Sequence, residues 1–387
     1  MKNQEYNTGS RRTDGGVRPF FESVDLFHAG EMGYASGRIP ALTHVRDGVL
    51  LAAWEARRGG ADGFPGDWVD IDIMMRRSED GGATWSPVTP LADGGILPAH
   101  NTNLVVDAEG TVHLVFFINY AHAFHAISRD CGRTFGTPRD ITPVFQEFQE
   151  DYLWNVIAAG PGHGLVTRAG RILLPVWLSN GGKKHRPSVV SSIYSDDCGR
   201  SWRRGEIIPP KLSNMSETTG VELENGEILF NIRSEDRACR RALSRSMDGA
   251  TNWSQPALDK VLREPVCMGN MLRLDFADHR TGDPGRVLFC NPDNETWSGK
   301  YGPSWDGNKD RLNLTLRMSF DDCATWPVSR VVDAGIAGYC DLAHDGHENI
   351  YILYEKGGVD NSMWINRSVA FVRLNTAWLT FSQGPSA

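Results

Sequence analysis

From Phe20 onward the chain is a succession of short apolar or alternating runs, each five to seven residues long, broken by Gly, Asp and Asn. Examples are Val49 to Trp54, Val112 to Ile118, Arg171 to Trp177, Glu227 to Ile232, Arg286 to Cys290, Asn349 to Tyr354 and Ser368 to Arg373. Runs of that length bounded by turn residues predict strands, and no long 3.6-residue period competes with them. One candidate helix lies near Pro143 to Ile157. The expected fold class is therefore all-β.

Between the runs a motif recurs five times: Ser78 to Trp85 (SEDGGATW), Ser128 to Phe135 (SRDCGRTF), Ser195 to Trp202 (SDDCGRSW), Ser246 to Trp253 (SMDGATNW) and Ser319 to Trp326 (SFDDCATW). Successive serines are 50, 67, 51 and 73 residues apart, a spacing that fits one four-stranded sheet per repeat. Asp and Ser can bind nearby backbone groups, Gly supplies a positive φ, and the closing aromatic can plug into apolar layers. Each box thus predicts a turn between two strands of one sheet. In the last two copies Ala250 and Cys323 replace the glycine and Asn252 the threonine.

Five boxes with strand-rich sequence on either side predict a single six-bladed β-propeller of four-stranded antiparallel blades, spanning 19–387. The run Trp378 to Phe381 is expected to pair with the N-terminal end and close the ring. Residues 1–18, polar and rich in Gly and Arg, read as a disordered segment. A net charge of −8 argues against nucleic acid or an anionic membrane as partner, so a bound anion needs a local arginine cluster. No apolar run approaches the roughly 20 residues of a membrane span. The start MKNQEYNTGSRRTDGG lacks the hydrophobic core of a secretory signal, which reads as cytoplasmic, or as secreted or periplasmic if a signal has been removed. Seven cysteines in no paired spacing read as reduced structural thiols.

Candidate chemistry sits at the ends of apolar strands. Arg38 lies in Gly37-Arg38-Ile39-Pro40, Arg237 closes Arg233-Ser234-Glu235-Asp236-Arg237 past the strand ending at Ile232, and Arg311 opens Arg311-Leu312-Asn313-Leu314-Thr315-Leu316. With these residues and the boxes, the chain from about Phe20 to Leu374 resembles the bacterial and animal exo-sialidases (neuraminidases). The Arg38-Ile39-Pro40 motif matches, although Gly37 stands where the family often has an aromatic. The resemblance implies an arginine triad of Arg38, Arg237 and Arg311 gripping the substrate carboxylate, for which planar, permanently charged guanidiniums are suited.

It further implies that Tyr339, in Gly338-Tyr339-Cys340-Asp341-Leu342, is the nucleophile and that Glu222, in Val221-Glu222-Leu223-Glu224-Asn225-Gly226, is the base that activates it. A free phenol has a pKa near 10 and needs such a base. Glu224, beside the Asn225-Gly226 turn, is the rival and reads as solvated turn. A neutral phenol avoids the repulsion a carboxylate nucleophile would meet at an anomeric carbon bearing its own carboxylate. Among Asp62, Asp67, Asp70 and Asp72, the acid/base is expected at Asp67, in the Gly/Pro-rich loop GGADGFPGD ahead of the strand that carries Asp70 and Asp72. Glu355 matches the glutamate that holds Arg38, Arg57 an arginine near the acid/base loop, and Trp68 is a candidate pocket wall.

The expected activity is hydrolysis of terminal α-linked sialic acid from glycoconjugates, with retention. Alternatives are a related ulosonic acid such as KDN or Kdo, transfer in place of hydrolysis, or a propeller that binds carbohydrate without catalysis. The glycine-rich Gly160 to Gly164 leads into a strand and not a helix, His122 and His125 are three apart on a strand, no Cys/His group has zinc spacing, and no Gly-x-Ser-x-Gly elbow occurs. No metal or organic cofactor is expected.

Overall fold

The computed structural model describes residues 17–304 and 307–381; all but Val17 and Arg18 of the expected N-terminal disordered segment lies outside them. The described chain is all-β, in hydrogen-bonded sheets of four to seven strands. The expected strands form with their ends moved by a few residues: Leu50–Arg57, Val112–Ile118, Ile172–Ser179, Ile228–Ile232, Arg286–Pro292, Asn349–Lys356 and Ser368–Asn375. The candidate helix near Pro143 to Ile157 is much shorter: one α-turn at Thr142–Gln146, a 3-10 turn at Glu147–Glu150, then the strand Val156–Ala159.

Each box joins two paired strands of one sheet, as at Ile71–Ser78 and Thr89–Asp93. In the first, the Ser78 hydroxyl accepts from the Gly82 amide (2.9 Å), and Asp80 accepts from the Thr84 amide (2.8 Å) and hydroxyl (2.6 Å). One serine and one aspartate thereby satisfy the donors of a turn that cannot join the ladder. The box aromatics Trp85 and Trp202 pack on Phe371 and His125 of the neighbouring sheet, 4.9 and 5.3 Å between ring centres. The fourth box makes these bonds one position sooner. Gly249 takes the bond to the Ser246 hydroxyl and Thr251, one position early, donates to Asp248 through amide (2.8 Å) and hydroxyl (3.1 Å).

The sheets pack face to face in sequence order. Ala53 and Ile73 of the first meet Leu104 and Leu114 of the second. Phe117 meets Val176 of the third, Leu173 meets Phe230 of the fourth, and Leu229 meets Phe289 of the next. The 17-residue strand Val328–His344 is shared between two ladders, pairing Leu312–Ser319 through its first part and Asn349–Lys356 through its second. The two halves of that seven-stranded sheet fold onto one another, Leu288 and Leu316 against Ile352 and Val372. Leu353 and Phe371 then pack on Leu42 and Trp54 of the first sheet, which returns the stack to its start.

Ring closure differs in detail from expectation. Ser368–Asn375, not Trp378 to Phe381, pairs antiparallel with the N-terminal strand Phe21–His28. Trp378 belongs to the short helix Thr376–Thr380, capped by the Asn375 side chain, and its ring lies 4.9 Å from that of Phe21. Among the described residues no helix is long and apolar enough to cross a membrane. All seven cysteines are free.

The strands Ser36–His44, Ala99–Val106, Thr218–Glu222, Asn270–Asp275 and the second half of Val328–His344 are innermost and touch their counterparts around the centre. Midway along them Asp341 accepts from the Leu42 amide and meets His163 Nδ1, each at 2.6 Å, while Asn270 donates to the carbonyls of Pro161 and Cys340. The glycine-rich segment threads this crossing. Gly162 has φ +113°, and a Cβ there would stand 2.4 Å from Asn270 Nδ2.

Candidate active site

The inner strands carry their polar residues to one end of the ring, where a cavity of about 820 Å³ opens. Arg38 and Tyr339 reach it from within inner strands, Glu217 from just before one, and Arg233 from just after its hairpin partner. Antiparallel pairing explains the last two. Thr218 faces Ile232, so Glu217 and Arg233 are the next pair outward, and the Arg233 amide donates to the Glu217 carbonyl at 3.0 Å.

Tyr339 is the centre of the constellation. Its hydroxyl lies 2.7 and 2.6 Å from the two oxygens of Glu217, and Arg233 Nη1 donates to it at 2.6 Å while also pairing with Glu217. Burial raises the phenol's pKa far above its ordinary value and the Glu217 charge adds to this, against the opposing pull of Arg233, Arg311 and Arg38. The tyrosine is therefore a neutral phenol with an acceptor already in hydrogen-bond contact. The guanidiniums of Arg38 and Arg311 both stand 5.3 Å from its ring centre.

One buried carboxylate fixes two of these groups. Glu355 accepts from Arg38 Nε (3.0 Å) and the Ile39 amide (3.0 Å) with one oxygen, and from the Tyr339 amide (2.9 Å) with the other. A Cβ at Gly338 would come within 2.0 Å of Glu355, so glycine there is what lets Tyr339 sit against it. Ile39, a β-branched residue held at φ +52°, lies in the bulge between Arg38 and Ala41, directly after Arg38, which is still paired with Glu55. Arg311 donates to the Val266 carbonyl at 2.8 Å, and among the described residues its buried Nε and Nη1 have no hydrogen-bond partner. Arg311 lines the cavity, and buried donors of this kind call for an acceptor beside them.

Asp67 faces this group from the loop between Leu50–Arg57 and Ile71–Ser78. Arg57, almost wholly buried, donates Nη1 to Asp67 at 2.7 Å and holds Glu55 through Nε and Nη2 at 2.9 and 2.5 Å. Enclosure by the loop raises the Asp67 pKa, but Arg57, His185 and Arg38 outweigh it and hold the carboxyl well below the usual range. Its rivals are used elsewhere: Asp62 caps the Phe64 amide, Asp70 pairs with Arg58, and Asp72 binds Tyr34. Trp68 packs behind the wall against Tyr120 and His185, which do line the cavity, at 5.2 and 5.5 Å between ring centres.

Arg38, Arg57, Asp67, Arg311 and Tyr339 thus converge, with Glu355 behind them, while two expected residues do not. Glu222 is five residues along the inner strand from Glu217, roughly 16 Å at strand rise, and lies at the opposite end of the ring in a salt bridge with Arg168 (2.9 Å). Arg237 is on an exposed turn four residues beyond Arg233. Glu217 and Arg233, not Glu222 and Arg237, are in contact with the Tyr339 hydroxyl. A count outward from the Asn225-Gly226 turn would have paired both at the hairpin's open end, where the strand termini meet the cavity.

A family model described as a BNR repeat-like domain matches residues 48–352. A sialidase of Micromonospora viridifaciens is 30% identical, over 94% of this chain and 55% of its own length. Sialidase-3 of Bos taurus is 25% identical over 87% of this chain and 89% of its own. The chain spans 55% of the length of that Micromonospora sialidase and 62% of the length of a Bacteroides fragilis sialidase. Among solved structures, the Hadza microbial sialidase Hz136 superposes with a TM-score of 0.73 at 24% identity, covering 92% of this chain and 69% of that one. Repeat, fold and family model agree: the chain belongs to the BNR repeat-like domain family, and its relatives there are sialidases.

Proposed function

We propose that this protein is a retaining exo-sialidase built as a six-bladed propeller. The blade count rests on the strand shared between two facing half-sheets, which divides the seven-stranded sheet into two units of four. The observation that carries the enzymatic reading is the Tyr339 hydroxyl held between Glu217 and Arg233, beneath Arg38 and Arg311. A module that only bound carbohydrate would need the arginines but not a phenol paired with a base.

In this reading Arg38, Arg233 and Arg311 bind the substrate carboxylate, with Nε and Nη1 of Arg311 taking most of it. Asp67 gives its proton to the glycosidic oxygen as that bond breaks. Tyr339 Oη bonds to the anomeric carbon, its proton passing to Glu217. Water then gives a proton to Asp67 and attacks the same carbon; the tyrosyl bond breaks, and Glu217 returns the proton to the phenolate. Two inversions give retention. Asp67 is ionised in the free protein and takes up its proton on the way to this complex. Displaced water and a carboxylate laid beside Arg38 both raise its pKa.

Steady-state assay of a fluorogenic N-acetylneuraminic acid glycoside tests the proposal. The wild type cleaves it, and Tyr339→Phe, folded by circular dichroism, loses most of that activity. Failure of the wild type to cleave any ulosonic acid glycoside would overturn the enzymatic reading. The carboxylate clamp fits KDN and Kdo equally, so the same assay on those glycosides ranks the substrates.

A further inference from the structure

Most arginines that line the cavity are matched to a carboxylate. Arg38 has Glu355, Arg57 has Glu55 and Asp67, Arg233 has Glu217, and Arg186 has Glu235. Arg311, the exception, is accounted for by the sugar carboxylate. Two further cations line the same cavity, Lys183 and Lys184, adjacent in the turn Gly182–Lys184. Both are exposed, and among the described residues neither has a carboxylate partner. In a chain of net charge −8, two unneutralised ammonium groups on one rim form a local exception to the overall field.

Their side of the cavity is defined. Lys183 Nζ stands 5.8 Å from the ring centre of Trp68, the residue next to Asp67. His185, which follows the pair, packs on that same ring and contributes to the field at Asp67. A general acid stands beside the leaving oxygen, so the Asp67 side is the aglycone side. A second negative charge there would meet Lys183 and Lys184, whereas the sugar carboxylate is held by groups gathered around Tyr339.

On the reading of Asp67 as the general acid, we infer that Lys183 and Lys184 select sialosides whose aglycone is itself anionic, through a carboxylate or a sulfate on the sugar next to the scissile bond. The two sources share one chemistry, an anion within reach of two mobile ammonium groups. Such a contact is exposed and screened over about 8 Å at physiological ionic strength, so its effect is modest and falls with salt.

The experiment compares kcat/KM for three compounds: a sialoside of neutral lactose, the same sialoside sulfated on the adjoining galactose, and an α-linked dimer of sialic acid. Wild type is expected to favour at least one anionic compound over the neutral one by about three- to tenfold in low salt, and less at 0.5 M NaCl, a salt concentration on the order of several times physiological. Which of the two is favoured identifies the anion. In Lys183→Ala/Lys184→Ala the preference falls to about one while the neutral sialoside is cleaved as before. The conservative Lys183→Arg/Lys184→Arg keeps it. Equal rates on all three compounds in wild type, or equal loss on all three in the alanine variant, would overturn the inference while leaving the sialidase reading intact. Cleavage of none of them by wild type would overturn both.

Discussion

At the scale of single residues, five positions along one strand separate a carboxylate that can act on Tyr339 from one that cannot. Glu217 touches the phenol; Glu222 is spent on Arg168 at the other end of the ring. Both precede or end the same short apolar run, and nothing in side-chain type tells them apart. Kinetics will. Glu217→Gln is expected to lower kcat/KM on an aryl sialoside by about 10²- to 10⁴-fold, the range for loss of a positioned acid or base, with Glu222→Gln staying within about twofold of wild type. The reverse ranking would return the base to Glu222. Arg233 and Arg237 pose the same problem in the returning strand. The first arginine past Ile232 faces Glu217, whereas the second has already left the sheet for solvent.

At the scale of the element, the boxes show how much a turn can vary while keeping its bonds. Thr251 replaces the expected residue one position early, and Cys323, at φ +67°, stands where other copies have glycine, its amide still bound to the Ser319 hydroxyl at 3.0 Å. The charge of the box aspartate has a pH signature. The Thr84 hydroxyl and amide lower the Asp80 pKa from 3.8 to about 2. A depressed carboxylate contributes stability that is fully present above its unfolded value near 4 and is lost as pH falls through its folded value. Asp80 is exposed, so its contribution is at most about 1 kcal/mol. Urea midpoints of wild type and Asp80→Ala should therefore differ by a constant gap from pH 7 to about 4, and the gap should narrow at pH 3. A gap that widened on acidification would show that the aspartate acts through something other than its charge.

At the scale of the whole molecule, closure depends on a strand far from the residues it completes. Phe21–His28 covers the edge of Ser368–Asn375, and Leu26 and Phe27 enter the core shared with Leu42, Trp54 and Phe371. Removal of residues 1–28 would leave an eight-residue strand with an open edge and a hole beside Trp54. The expected outcome is a lower melting temperature and self-association by light scattering, because an unpaired edge is a template for another chain. A monomer with an unchanged melting curve would show that the ring closes without it.

Periodic apolar runs and five copies of one turn determined the strands, the repeated sheets and the class of fold, because each of those is written within a few adjacent residues. The residues gathered at Tyr339 were partly legible too. Arg38, Asp67, Arg311 and Glu355 each lie in a distinctive local string, and the structure brings all of them to one cavity or directly behind it. Glu217 and Arg233 carry no such string. What selects them is hairpin register and the depth at which each inner strand meets the open end of the ring, and the last strand of that ring is supplied by the N-terminal end of the chain. Register and closure arise between segments up to some 350 residues apart, as Phe21 with Leu374 shows, so only the tertiary structure could decide which carboxylate meets the phenol.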